Sequence, residues 1–315
     1  MNKLCIIVPC YNEEAVLGST AETLINLLGD LSGKGKTAND SFILLVNDGS
    51  HDKTWDVICD LHEKYHQINA INLAANVGHQ NALFAGLEYA ADKCDMSVSI
   101  DADLQDDIGA IEKMVDKYIG GADIVYGVRD DRSSDSFFKR STAQGFYKFM
   151  SAMGVKTVYN HADFRLMSRR AMEQLKLYPE RNLFLRGIIP TLGYKTDTVY
   201  YARRVRTAGK SKYPLKSMLR LAFNGITSFT TRPMTLIGGL GIVIIILSVI
   251  AFIYTLISYF TGNAEPGWAS LMASIWFLGG VQLFSIGVVG KYVGKAYFET
   301  KQRPRYNISE ELKHD

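Results

Sequence analysis

In MSVSIDADLQDD, residues 96–107, an apolar run from Met96 to Ile100 gives way abruptly to acid. Asp101, Asp103, Gln105, Asp106 and Asp107 fall within seven positions. The run reads as a strand and the polar burst as the loop that leaves it. Carboxylates this close repel one another unless a cation or solvent separates them. Asp-x-Asp leaving a strand points two hard oxygen ligands, Asp101 and Asp103, at one rim. Mg²⁺ or Mn²⁺ prefers such ligands and shares its remaining positions with phosphates and water.

The same arrangement repeats upstream. Residues 4–8, 42–46, 70–73, 96–100 and 123–126 read as strands, and 13–28, 54–65, 80–91 and 108–118 as helices between them. Segment 29–41, GDLSGKGKTANDS, is a loop by composition. This βαβα rhythm predicts a doubly wound, Rossmann-like, mostly parallel sheet. In such folds ligands gather at the carboxyl ends of the strands. Four polar loops fall there: PCYNEE (9–14), NDGSHD (47–52), NVGHQNA (76–82) and DADLQD (101–106). No GxGxxG follows the first strand and no GxxxxGK[ST] occurs, so neither a dinucleotide fingerprint nor a P-loop is present. A divalent ion at the fourth loop suits a nucleoside diphosphate leaving group, whose growing charge it neutralises.

The second half has another character. Lys plus Arg is 35 and Asp plus Glu is 32, so no basic field argues for nucleic acid. The mean hydropathy of zero averages two unlike parts. Residues 233–260 and 267–290 contain no Asp, Glu, Lys or Arg. Each is long enough for a membrane-spanning helix, which needs about 20 apolar residues. The linker TGNAEPG carries no Lys or Arg, whereas Arg220 and Arg232 precede the first span and Lys291, Lys295, Lys301, Arg303 and Arg305 follow the second. The positive-inside rule puts both flanks in the cytoplasm and the linker outside. The opening MNKLCIIVPCYNEE turns polar too soon for a signal peptide. The expected organisation is a cytoplasmic catalytic domain over 1–213 and an amphipathic surface helix within 214–232. Two spans over 233–292 and a cytoplasmic tail over 293–315 complete a multi-pass protein of the cell membrane. The four cysteines have no CxxC spacing and read as reduced and structural.

IIVPCYNEE, VNDGSHDKT, NVGHQNALFAGL, SIDADLQDD, VYGVRDDR, ADFRLMSRR, ERNLFLRG and RTAGKSKYPLKSM occur in that order. The set resembles glycosyltransferase family 2, with its GT-A fold. Within that family it is most similar to the polyprenyl-phosphate glycosyltransferases, the bactoprenol glucosyltransferase and dolichol-phosphate mannose synthase group. The resemblance implies that Pro9, Tyr11 and Glu13 lie near the base and ribose of a nucleotide-sugar, and that Asp48 contacts the base. It implies that Asp101 and Asp103 hold the diphosphate and metal, joined by Gln105, with Asp103 indispensable to catalysis. Arg206, Ser211 and Lys212 fall in a loop resembling the one that closes on the donor diphosphate. Arg129 and Arg140 resemble residues that hold an acceptor phosphate, and Asp163 stands where the family has a candidate catalytic carboxylate. The alternative for Asp163 is a structural carboxylate paired with Arg165. His79 and His161 read as hydrogen-bonded structural residues. Where the family commonly reads DADLQDPPE, this chain has Asp107, Ile108 and Gly109.

The resulting expectation is metal-dependent, inverting transfer of a sugar from a nucleotide-sugar to a polyprenyl phosphate, with UDP-glucose and undecaprenyl phosphate as the leading pair. A family 2 enzyme acting on a sugar hydroxyl is the first rival, although QxxRW is absent. A membrane-anchored nucleotide-sugar-binding protein is the second. Homo-oligomerisation stays open.

Overall fold

The computed structural model describes residues 1–129, 161–181, 183–202, 230–261 and 267–314. Arg140, Arg206, Ser211 and Lys212, and nearly all of the expected surface helix, lie outside them. Three parallel pairings build the centre of the sheet: β1 (Leu4–Cys10) lies between β4 (Met96–Ser99) and β2 (Phe42–Asn47), and β2 pairs with β3 (Ile68–Leu73). All six residues of β2, FILLVN, are buried. A strand covered on both faces needs such a continuous apolar run.

Helices α1 (Leu17–Gly33), α2 (Thr54–Lys64), α3 (His79–Ala91) and α4 (Gly109–Ile119) follow these strands. In α1 the buried Leu17, Ala21, Leu24, Leu28 and Leu31 recur every three or four residues, the stripe of a helix packed on a sheet. A side chain at Gly86 of α3 would collide with Ile7 and Val46, so this glycine lets α3 lie close on β1 and β2. Two sequence boundaries shift. Helix α1 starts at Leu17 instead of residue 13, because Glu13 and Glu14 are drawn into bonds with the loop after β2. It also runs on through GDLSG to Gly33, since Leu28 and Leu31 still have core to cover.

β5 (Ile124–Arg129) is followed by β6 (His161–Ser168), which runs antiparallel between β4 and β5. α5 (Arg169–Lys176), the short α6 (Leu185–Ile188) and β7 (Thr196–Tyr201), parallel to β5, complete this side. The final residues, read from the sequence as a tail, return to the domain. β8 (Ile308–Leu312) pairs antiparallel with β3 and gives the order β7-β5-β6-β4-β1-β2-β3-β8. Arg305 stacks over Phe84 at 4.2 Å and Tyr306 donates to Glu88 at 2.6 Å, which anchors the strand to α3.

The chain divides into two compact units, this sheet with its helices and a helix pair. The pair is α7 (Arg232–Phe260) and α8 (Trp268–Lys301), both long and apolar enough to cross a membrane. Phe260, Leu283 and Phe284 are each at least 70% exposed, an apolar surface that water alone does not suit.

Candidate active site

The carboxyl ends of β1, β2, β3 and β4 bring the four polar loops to one rim, and hydrogen bonds lace neighbouring loops together. Asn12, in the left-handed region at φ 55°, receives a bond from His51 N–H on its Oδ1 (2.9 Å) and donates its own N–H to Ser50 Oγ (3.0 Å). Glu13 N–H donates to Thr54 Oγ1 (2.9 Å). Tyr11 stands exposed beside His51, their rings edge to face at 6.3 Å, and offers an aromatic surface next to Pro9 and Glu13.

Asp48 joins the second loop to the third. Its two oxygens accept the backbone N–H groups of Val77 (2.8 Å) and Gly78 (3.0 Å). Burial pushes its carboxyl above the usual range, and these two bonds oppose the shift. The adjacent Gly49 has φ +60°, and a Cβ there would lie 2.5 Å from the backbone of Ala75 and Asn76. Only glycine permits both the conformation and the approach.

The fourth loop faces two ways. Asp101 and Asp103 are exposed, while Ala102, Gln105 and Asp106 are buried. Thr20 of α1 pins the loop by donating to the Ala102 carbonyl (2.7 Å), and Leu104 turns it at φ 43°. Gln105 Nε2 donates to Asp103, and Asp106 faces inward to Arg129. Among the described residues no three His, Cys, Asp or Glu side chains form a ready metal cage. The outward Asp101 and Asp103 carboxylates nevertheless fit a hard divalent ion that completes its shell with substrate oxygens and water.

Asp163 enters this rim from β6. Side chains two apart on a strand share a face, so Asp163 lies beside Arg165, with Oδ1 at 2.6 Å from Nη2. Arg186 of α6 grips the same carboxylate with two nitrogens, at 3.2 and 3.0 Å. His79 Nε2 lies 3.4 Å from Asp163 and 3.9 Å from Asp101, bridging the fourth-loop carboxylate and the β6 carboxylate. Gln80 donates to Asp163 (3.4 Å) while its Oε1 accepts the Leu185 N–H (3.0 Å), tying α3 to α6. Burial alone would raise the Asp163 carboxyl, but His79, Arg186 and Arg165 outweigh it and hold the group well below the usual carboxylate range. For His79, burial opposes charge, yet the bond to Asp163 and the charge of Asp101 raise the imidazole. Asp101 moves up, through partial desolvation among the rim side chains and the neighbouring Asp163, Asp106 and Asp103 carboxylates, against the pull of His79.

Of the residues singled out in the sequence, Pro9 lies at the end of strand β1, Tyr11, Glu13 and Asp48 lie in the laced first and second loops, and Asp101, Asp103 and Gln105 in the fourth. Asp163 joins them through His79, and Arg129 through Asp106. Sequence reasoning assigned no site role to His79, Gln80, Asp106, Arg186 or Tyr201. The available signal for His79 and Gln80 was their place at the first turn of the helix after the third strand. Arg186 stood inside ERNLFLRG, but nothing in its spacing from Asp163 tells that the two meet.

The profile of the family described as Glycosyl transferase family 2 matches residues 5–176. The uncharacterized glycosyltransferase YkoT of Bacillus subtilis (strain 168) is 51% identical over 309 residues, covering 98% of this chain and 92% of that one. The prophage bactoprenol glucosyl transferase homolog of Escherichia coli (strain K12) is 40% identical, covering 97% and 98%. The bactoprenol glucosyl transferase of Shigella phage SfX is 39% identical, covering 97% and 98%. With a profile match that spans the rim loops through β6 and relatives aligned end to end, the chain belongs to glycosyltransferase family 2.

Proposed function

We propose that this glycosyltransferase moves glucose from UDP-glucose to a polyprenyl phosphate of the bactoprenol type, with inversion, on the cytoplasmic face of the cell membrane. The observation that carries this reading is the length of the correspondence: the similarity to bactoprenol glucosyl transferases runs through the rim and both apolar helices, over 97% of the chain. Such a lipid-linked sugar serves glycosylation of the cell envelope.

The nucleotide lies along the first and second loops, against Tyr11, Pro9 and Glu13, with Asp48 fixing the base-binding wall. Asp101 and Asp103 would hold a divalent ion, Mg²⁺ or Mn²⁺, which would supply charge neutralisation at the leaving diphosphate. Arg206, Ser211 and Lys212 close on that diphosphate, and Arg129 and Arg140 receive the acceptor phosphate. A phosphate oxygen then bonds to the anomeric carbon as the bond from that carbon to the diphosphate oxygen breaks, and UDP leaves. The acceptor needs no strong base, because a phosphate monoester with a second pKa near 6 is largely dianionic at neutral pH. It needs positioning. Asp163 suits that role: the Arg165 and Arg186 guanidiniums and the His79 ring hold it ionised, and it orients Arg186 and His79 at the edge of the donor site. A sugar hydroxyl as acceptor would call for a base poised near neutrality, which a carboxylate so strongly paired does not provide.

The membrane reading rests on α7 and α8, both long and apolar enough to cross a membrane. The return of β8 to the sheet supports a hairpin: strands before and after the pair share one folded unit, so the number of crossings between them is even. The basic flanks favour the cytoplasmic side for that unit.

The test is to incubate the full chain in membranes with radiolabelled UDP-glucose, undecaprenyl phosphate and Mg²⁺ or Mn²⁺, and to extract the lipid. A labelled, mild-acid-labile lipid is expected. Label passing only to polysaccharide or to no acceptor at all would overturn the assignment.

A further inference from the structure

We infer that Asp106 and Tyr201 are positioning residues that fix the Arg129 guanidinium for the acceptor, and so join the metal loop to the acceptor side of the site. This rests on the reading of Arg129 as a ligand of the acceptor phosphate. β5 and β7 run parallel with Arg129 opposite Tyr201, at the ends of both strands. The register therefore delivers a guanidinium and a phenol side by side at the rim. Asp106 closes the triangle. Its Oδ1 accepts from Tyr201 OH (2.7 Å), from Arg129 Nη2 (3.1 Å) and from Arg129 Nε (3.3 Å), and Arg129 Nε also reaches Tyr201 OH (3.4 Å).

The burial of the three residues differs in a telling way. Asp106 and Tyr201 are 3% and 4% exposed, and the Arg129 side chain is 30% exposed. Two buried groups thus grip a third that reaches the surface. Phe164 locks the phenol from behind, its ring edge to face with Tyr201 at 5.2 Å. A guanidinium has five donors in one rigid plane, so bonds on Nε and Nη2 set the direction of the whole fork. A long arginine left to rotate would lose entropy on meeting a phosphate; one already fixed loses less.

Asp106 also belongs to the loop whose outer face carries Asp101 and Asp103, directly after Gln105, which bonds Asp103. A single short loop therefore presents carboxylates outward to the donor and a carboxylate inward to the acceptor arginine. The geometry ties the orientation of Arg129 to the conformation of the metal loop through two adjacent residues.

The experiment measures the apparent KM for undecaprenyl phosphate, kcat, and calorimetric binding of UDP with Mn²⁺ on the full chain in detergent. The variants are Tyr201→Phe, Asp106→Asn, Arg129→Ala and the double variant Tyr201→Phe with Arg129→Ala. Tyr201→Phe keeps the packing on Phe164 and removes only the hydroxyl. It is expected to raise the acceptor KM about three- to tenfold, as loss of one hydrogen bond does, with UDP binding unchanged. Asp106→Asn is expected to do the same more strongly. In the Arg129→Ala background Tyr201→Phe should have no further effect on KM, because the hydroxyl acts through the missing guanidinium. If Arg129→Ala leaves the acceptor KM unchanged, the acceptor reading of Arg129 fails and takes this inference with it. If Arg129→Ala raises the KM but Tyr201→Phe does not, or does so equally without Arg129, the positioning role alone is overturned. A melting temperature lowered in Tyr201→Phe with no change in KM marks a merely structural bond and equally overturns it.

Discussion

Arg165 Nη2 lies 2.6 Å from Asp163 Oδ1, two residues away on the same strand, and the guanidinium is almost wholly buried. A buried charge of this kind is tolerated because its partner is present. Removing one member of such a pair costs about 3–5 kcal/mol, since the other is left uncompensated. Asp163→Ala should therefore lower the melting temperature markedly as well as activity, and Asp163→Glu should recover part of both.

The pH dependence of the same residue follows from the direction of its shift. The folded carboxyl titrates well below its unfolded value of about 3.9. A depressed carboxylate contributes stability that is present above the unfolded pKa and is lost as the pH falls through the folded one. Melting temperatures of wild type and Asp163→Asn should thus differ at neutral pH and converge only below about pH 3.9. A profile of kcat against pH should show no acidic limb belonging to Asp163 between about pH 5 and 8; a limb there that vanishes in Asp163→Asn would identify it as a base.

At the proposed nucleotide end, Asp48→Asn replaces one acceptor with a donor that faces a backbone N–H. At least one of the bonds to Val77 and Gly78 is lost, leaving a buried N–H at a cost of about 1–3 kcal/mol. Calorimetry should show UDP binding weakened about tenfold or more. Gly49→Ala should be worse, because its Cβ meets the Ala75–Asn76 backbone. UDP binding at wild-type strength in both variants would detach this wall from the nucleotide.

Asp103→Ala should abolish transfer, and excess EDTA should stop the wild-type enzyme until Mg²⁺ or Mn²⁺ is restored. Full turnover in excess chelator would remove the ion from the reaction.

Truncation after Lys301 should destabilise the domain, because β8, the Arg305 contact with Phe84 and the Tyr306 bond to Glu88 go together, and the β3 edge is bared. The chain without residues 302–315 should melt lower and aggregate more readily. An unchanged melting temperature would make the strand dispensable.

For the proposed membrane hairpin, a cysteine introduced by Asn263→Cys should react with an impermeant thiol reagent applied outside intact cells. Reaction only after the cytoplasmic side is opened would reverse the orientation.

The alternation of apolar runs and polar loops was enough to specify the central parallel strands, because β2 and its neighbours are buried on both faces and local sequence alone must supply that apolarity. DADLQD announced its carboxylates for the same reason: a strand end followed by acid is a local signal. The two charge-free runs likewise follow from composition. Other features depended on contacts between residues far apart in the chain. β6 slips antiparallel between β4 and β5, and β8 crosses some 240 residues to reach β3, pairings that no local period encodes. Asp163 could be named from a motif, but much of what holds its carboxyl below the usual range comes from His79 and Arg186, brought in by other elements. The sequence by itself determined the central strands, the helices between them and which loops carry carboxylates, since propensity and patterning act over a few residues. Tertiary structure alone decided which charges meet, and therefore whether a carboxylate holds a proton or holds an arginine, because the field at a buried group is set by whatever the fold packs against it.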